Sequence, residues 1–380
     1  MNAHPPLRIV DCTLREGEQY AHAHFDTDQR LSLARALDHF GVDVLEVTSP
    51  AASKRAFEDA RALSSLGLNC DVAVHIRCHP GDARAALECG AQAVHVAFGT
   101  SPQLRQHSHR RSLDAVLAAA EEVLPPLLEA GRTVRFSCED AFRTPLPDLV
   151  RVAQAVEQLG VQRFGLADTV GAASPDEVRE RVGLVRQVVE CDLEFHGHND
   201  GGCAVANLWA AYRSGVSFLD VTVLGIGERN GICPLSGLVA RALLEDPVTL
   251  ERFELPELPE LDAMVAGWLG IEIPFNACIT SPTAFAHKAG LHTNAVLNEP
   301  GTYESIDPGR FGFERQLLAG HALVGRNLLR SEAARLGLQL GEAELVRATA
   351  ELKERASTRP LTPAEVDELL RRHHSLTPQS

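Results

Sequence analysis

Short apolar runs alternate with longer amphipathic stretches along the first two thirds of the chain. The runs Leu7–Asp11, Val42–Val47, Val72–Ile76, Ala93–Phe98, Val134–Cys138, Arg163–Ala167, Leu193–His196 and Phe218–Val223 are brief and rich in β-formers, and they read as strands. Between them, stretches such as Arg30–Phe40, Leu113–Ala130, Leu146–Leu159 and Pro175–Val189 repeat apolar positions at three and four, the period of a helix buried on one face. Eight strand–helix alternations over about 250 residues predict an α/β fold, a (β/α)8 TIM barrel followed by a smaller, mainly helical C-terminal region. An open doubly wound sheet is the competing arrangement, but no Gly-x-Gly-x-x-Gly follows the first strand.

The polar residues keep to one phase of this alternation, the C-terminal ends of the strands. Asp11 to Gln19 follow the first strand and His75 lies at the end of the third. His95 is on the fourth, Arg135, Ser137 and Glu139 are on and after the fifth, and Asp168 and Thr169 follow the sixth. His196 and His198 end the seventh, and Gly225–Gly231 follow the eighth. In a barrel these ends converge on one mouth, where such folds carry their chemistry.

The pattern changes after residue 255. Leu255-Pro256-Glu257-Leu258-Pro259-Glu260 reads as a linker and Leu261–Leu269 as a helix. Pro274–Tyr303 has no clear period, and helical patterns return at His321–Leu336, Glu342–Arg355 and Pro363–His373 before a frayed end. The expected division is a catalytic barrel at 1–255, a linker and lid at 256–320, and a helical subdomain at 321–380.

Composition narrows the function. A net charge of -15 argues against nucleic acid or an anionic membrane as the main partner. No run is apolar enough to span a bilayer, and Met1 to Pro6 lack the basic and apolar regions of a secretory signal. Nine scattered cysteines, never in a Cys-x-x-Cys pair, suit reduced thiols in the cytoplasm.

Two stretches carry the chemistry. His196 and His198, two apart in an extended run, point to the same side, as a pair of metal ligands does; two hydrogen-bonded histidines at a strand end are the open alternative. Glu16, in Asp11-Cys12-Thr13-Leu14-Arg15-Glu16-Gly17-Glu18-Gln19, is a candidate third ligand. Two imidazoles and a carboxylate leave coordination positions for substrate oxygens. Arg15 is placed to clamp a carboxylate or stabilise an enolate oxygen, the alternative being an ion-pair network tying the rim together.

Asp-x-Thr-Leu-Arg-Glu-Gly-Glu-Gln after the first strand, His-Gly-His-Asn-Asp-x-Gly after the seventh and Gly-x-Gly-Glu-Arg-Asn-Gly after the eighth resemble the metal-dependent Claisen-condensing barrel enzymes (DRE-TIM metallolyases). Homocitrate synthases are nearest, with isopropylmalate and citramalate synthases as relatives. The resemblance covers about Ile9 to Phe313 and implies an enzyme, an acyltransferase joining acetyl-CoA to a 2-oxo acid before the thioester is hydrolysed. It implies a divalent ion (Mg2+, Mn2+ or Zn2+) on Glu16, His196 and His198, and Arg15 on the keto oxygen. Thr169 would hold the 1-carboxylate, with Arg135, His75 and Ser137 on the distal group and Glu139 as acid/base partner. His292 and Tyr303 would enolise the thioester from the neighbouring subunit, which implies a homodimer with shared sites; His287 and Lys288 lie close by in sequence.

Three departures bear on the substrate. Ile232 stands where isopropylmalate synthases have a metal-shell Asn, Asn230 coming earlier. His95 replaces an acidic residue that helps homocitrate synthases bind lysine, their feedback inhibitor, and Arg77 replaces an amide. Both changes make the pocket more cationic. The resemblance makes 2-oxoglutarate the default; phosphonopyruvate (giving a phosphonomethylmalate), whose dianion would reward the extra positive charge near Arg135, and oxaloacetate are the alternatives. A substrate without a distal anion is expected to leave Arg135 desolvated and unpaired. A lyase of the same superfamily and a catalytically dead scaffolding barrel are the rivals of other classes.

Overall fold

The computed structural model describes residues 5–375, so the last residues of the expected frayed end and the first four of the stretch Met1 to Pro6 lie outside the described residues. Eight parallel strands close into a barrel in chain order: β1 (Arg8–Asp11), β2 (Val44–Val47), β3 (Asp71–Arg77), β4 (Ala93–Gly99), β5 (Thr133–Glu139), β6 (Arg163–Asp168), β7 (Asp192–Gly197) and β8 (Phe218–Val221). Each matches a predicted run to within two residues at either end.

Alternation explains the barrel's two surfaces. Outward residues such as Ile9, Leu45, Val74, Val96, Phe136, Phe164, Phe195 and Leu219 are fully buried, under the surrounding helices. The inward set is less typical. Barrel interiors are usually filled by branched aliphatics; here the inner apolar cluster is small, including Val10, Val44, Ala73, Ala93 and Phe218. The two alanines leave room for charge. One registered row, His75, His95, Arg135 and Arg163, crosses β3 to β6, and paired neighbours in a parallel sheet share a face.

The chain separates into two units, residues up to Thr280 and those from Ser281, which differs from the division expected. Leu255–Glu260 is not a linker. Leu255–Glu257 is a 3-10 turn leading into a helix, Leu258–Leu269, with proline in its first turn, where the missing N–H costs nothing. Leu258, Leu261 and Val265 are buried. Asp262, also buried, accepts from the Leu224 N–H (3.3 Å) and the Thr280 hydroxyl (2.5 Å), which ties this helix to the barrel loop after β8.

In the second unit, helices Arg326–Arg335, Glu342–Arg355 and Pro363–Ser375 pack around Leu328, Leu329, Leu345, Leu352, Leu369 and Leu370. The stretch expected to be irregular contains a helix, Gly290–Asn298, and a two-residue strand, Ala286–His287, paired with Gln316–Leu317. The helix was hidden because only Thr293 and Val296 are buried on it, too few to show a period. Among the described residues no helix is long and apolar enough to cross a membrane.

Candidate active site

β7 delivers His196 and His198 to the mouth, and the turn after β1 brings Glu16 across to them. His196 Nε2 lies 3.8 Å from Glu16 Oε2, His198 Nε2 lies 3.9 Å from Glu16 Oε1, and the three ligand atoms fall within 4.8 Å of one another. Burial and the Arg15 guanidinium push His196 down to about 4, and burial and His196 do the same to His198, so both imidazoles are neutral at pH 7. Burial opposes the Glu16 charge, but Arg15 and the two histidines outweigh it and hold the carboxylate ionised. Neutral imidazoles and an ionised carboxylate are the protonation states a divalent cation needs. The His196 Nδ1 is occupied by Asp220 Oδ2 at 2.9 Å, which fixes the ring with Nε2 toward the site.

The loop after β8 wraps this triad. Glu16 Oε1 accepts the Glu228 N–H at 2.8 Å. A Cβ at Gly227 would stand 2.8 Å from the same oxygen, so only glycine lets the loop come this close. Arg229 then binds both Asp200 oxygens (2.8 and 2.9 Å) and the Thr169 carbonyl (2.8 Å), joining the loops after β6, β7 and β8. Ile232 makes a backbone bridge to His198 and its side chain joins the inner apolar cluster, while Asn230 is exposed.

Beneath the triad runs a ladder of alternating buried charges. Arg15 donates through Nη1 to Glu16 (2.5 Å) and through Nε to Glu46. Glu46, fully buried on β2, is also 2.5 Å from His95 Nδ1, 3.3 Å from Arg135 Nη2 and 3.7 Å from His75 Nδ1. Arg135 donates through Nη1 to Glu194 on β7, and Arg163 reaches Glu194 from the other side at 2.6 Å. Burial opposes the charge on Glu194, but the arginines, Arg135 foremost, hold it down at about 2. Burial and Arg135 push His95 down to about 4, so its ring is neutral and its Nδ1–H donates to Glu46.

A cavity of about 330 Å³ opens over the ladder, lined by Arg15, Glu16, His75, Arg135, Ser137, Glu139, Thr169, His196 and His198 among others. Room beside Ser137 comes from Gly165 on β6, where a Cβ would lie 2.8 Å from the serine Oγ. Thr169 lines the cavity and its Oγ1 accepts the Asp140 N–H at 2.8 Å. Glu139 reaches solvent at the rim, and partial burial, with Asp140 beside it, raises its carboxyl.

Three expectations change. His95 does not line the cavity: it is 1% exposed, beneath the lining, and spent on Glu46. Arg77 lines the rim, but its guanidinium closes a two-pronged pair with Asp82 (2.8 and 2.9 Å) with the side chain 80% exposed. Neither residue adds a free cation to the pocket. Arg135 is not left unpaired without substrate, because Glu194 and Glu46 already hold it. Glu46, Glu194 and Asp220 were missed. The available signal was an isolated acidic residue at an inward position of an otherwise apolar strand, which a packed core accepts only with a partner.

In the second unit the His292 and Tyr303 rings stack at 4.2 Å between centroids, and Tyr303 is 45% exposed. His287 is not part of that pair; its Nε2 binds Glu304 at 3.0 Å, and Glu304 also holds Arg315. Lys288 lies near His321, whose imidazole burial and that ammonium push down.

The fold is that of the HMG-CoA lyases. The enzyme of Bacillus subtilis superposes with a TM-score of 0.64 at 20% identity, covering 71% of this chain and 96% of that one. That of Pseudomonas aeruginosa gives 0.63 at 20%, covering 78% and 99%. In sequence the chain is 45% identical to the mitochondrial homocitrate synthase of Penicillium rubens over 97% of its length and 78% of the relative's. It is 43% identical to the cytosolic homocitrate synthase isozyme of Saccharomyces cerevisiae, over 98% and 88%. Residues 6–265 match the HMGL-like family and residues 279–360 the homocitrate synthase post-HMGL domain, so the chain belongs to the HMGL-like family and carries the second domain of its homocitrate synthase branch.

Proposed function

We propose that this chain condenses acetyl-CoA with a 2-oxo acid bearing a distal anion, 2-oxoglutarate first among them, and hydrolyses the thioester to release CoA and homocitrate. The observation that carries the reading is the single cavity with a Glu16/His196/His198 donor set and Arg15 at one end and Ser137, His75 and Arg135 at the other. The post-HMGL domain favours a synthase over a lyase, since the lyase likeness is one of fold.

Glu16, His196 and His198 would hold a divalent ion, which would supply a Lewis acid to polarise the 2-oxo acid. The chain's own residues do the rest. Arg15 is held by Glu46 and Glu16, which leaves its Nη2 for the keto oxygen, where alkoxide charge develops. Thr169 orients the 1-carboxylate, and Ser137, His75 and Arg135 receive the distal one. The His292/Tyr303 pair takes a proton from the thioester methyl, the resulting enolate carbon bonds to the keto carbon, and Glu139 gives the alkoxide its proton. Water then cleaves the thioester. His292 and Tyr303 reach solvent on their own subunit, which suits action on a partner's barrel, with the unit that begins at Ser281 carrying them. Mixing inactive His198→Ala and His292→Ala proteins is then expected to restore turnover that neither has alone.

The test of the whole reading is thiol release from acetyl-CoA against a panel of 2-oxo acids, with and without a chelator. 2-Oxoglutarate is expected to lead; release with none of the panel refutes it. With His95 and Arg77 already paired, the extra cations that would favour phosphonopyruvate are spent, and the same panel, which includes oxaloacetate, ranks it. Glu139→Gln is expected to lower kcat about 100-fold or more with substrate KM little changed; an unaltered kcat removes Glu139 from proton transfer. Free lysine is expected to inhibit weakly. Its ammonium would need an unpaired carboxylate, and both near His95, Glu46 and Glu194, are held by arginines. Competitive inhibition at low lysine would overturn that. The nine free cysteines suit a reducing compartment such as the cytoplasm.

A further inference from the structure

The N-terminal end of a barrel is normally read as scaffolding, yet here one residue of that end is wired to the catalytic cavity. Arg163 is the first residue of β6, is 3% exposed, and borders a separate cavity of about 390 Å³ at the base together with Arg8, Asp71, Asp192 and Phe218. Its guanidinium carbon stands 3.4 Å from the centroid of the Phe218 ring, and its Nη1 donates to Glu194 Oε2 at 2.6 Å. Glu194 gives its other oxygen to Arg135, which lines the substrate cavity. The remaining ionisable groups around Glu194 are His95 on β4, which is neutral, and Asp220 on β8.

We infer that Arg163 is a positioning residue for substrate selection: it neutralises Glu194 from below, so that the positive charge of Arg135 remains available to the distal anion of the 2-oxo acid. The inference rests on the reading that Arg135 faces that anion. Arg135 and Arg163 divide Glu194 between them, one on each carboxylate oxygen, while Arg15 serves both Glu46 and Glu16. Without Arg163, Glu194 draws wholly on Arg135, and an incoming dianion meets an arginine whose charge is already offset. The ring of Phe218 backs the guanidinium, a contact that a cation over an aromatic face favours.

The test compares Arg163→Met, Arg163→Lys and Arg163→Met/Glu194→Gln in the full-length, metal-loaded protein. Arg163→Met is expected to raise KM for 2-oxoglutarate about tenfold, with KM for acetyl-CoA within about twofold of the unaltered value. Titration calorimetry of 2-oxoglutarate without acetyl-CoA is expected to show the same weakening. Arg163→Lys keeps the charge and is expected to bind 2-oxoglutarate within about threefold of the unaltered protein. The double variant removes the stranded carboxylate with the arginine, so 2-oxoglutarate binding is expected to return. A packing role on Phe218 would not be rescued in this way. Unchanged binding in Arg163→Met, or weakening that persists in full in the double variant, overturns the inference. If Arg163→Met does not fold, the double variant decides: binding like the unaltered protein supports the inference, and weakened binding overturns it. Failure of the functional reading is separate, because it shows in the unaltered enzyme as no thiol release with any 2-oxo acid.

Discussion

His198→Ala is expected to lower turnover roughly a thousandfold or more, a loss of about 4 kcal/mol in transition-state stabilisation, and to lower bound metal with it. The size follows from what the third ligand does. Glu16, His196 and His198 are already in the protonation states a cation requires, held there by burial and by Arg15, so little reorganisation precedes binding. Removing one leaves a two-point site whose ion neither stays nor fixes the substrate's keto oxygen. Metal analysis of the purified variant beside its thiol-release rate checks this. Retention of both ion and rate would move the metal elsewhere. The other two clusters of donor atoms among the described residues are poor hosts. In Cys12/His196/Asp220 the His196 Nδ1 is already taken by Asp220, and Glu46/His95/Glu194 has Arg135 against it. Gly227→Ala tests the same site from the loop. Its Cβ would fall 2.8 Å from Glu16 Oε1, so the carboxylate must move and metal affinity should fall, by about ten- to a hundredfold as for other disturbed ligand shells.

The barrel was legible because its signal is periodic. Each strand is a short apolar run, each helix repeats at three and four, and the polar residues keep to the strand ends, so the mouth and its occupants, Arg15, Glu16, His75, Arg135, Ser137, Thr169, His196 and His198, could be placed by phase alone. What phase does not reveal is pairing. Position on β4 makes His95 look like a pocket cation, but its place early in the strand puts it under the lining, where its Nδ1–H donates to Glu46 and burial keeps the ring neutral. Arg77 was likewise read from position, yet a guanidinium at a strand end is free to turn, and Asp82 captures it. The segment after β8 misled for a different reason. Pro256 and Pro259 look like linker residues until Pro259 is seen in the first turn of a helix whose Asp262 caps the β8 loop.

Arg135→Ala is expected to destabilise the protein by about 3 kcal/mol or more, because it leaves two buried carboxylates each short of a partner. Arg163 still holds Glu194 and Arg15 still holds Glu46, which keeps the loss at the lower end of that range. The thermal midpoint should fall by roughly 5–10 °C, read by calorimetry or circular dichroism. An unchanged midpoint would mean that the buried pairs contribute nothing net. For the same reason activity lost in Arg135→Ala says little about selectivity: a disturbed ladder reaches Arg15 through Glu46 and would slow every substrate. Ser137 separates the two roles. It lines the cavity beside Gly165 and shares the inward face of β5 with Arg135, and it belongs to no ion pair. Ser137→Ala removes one hydrogen bond to a charged acceptor, worth about 1.5–3 kcal/mol. KM for 2-oxoglutarate is therefore expected to rise by roughly ten- to a hundredfold, while pyruvate, with no distal group, loses almost nothing. Equal losses on 2-oxoglutarate and pyruvate would place the distal carboxylate away from β5, and the reading of Arg135 as its partner would fall with it.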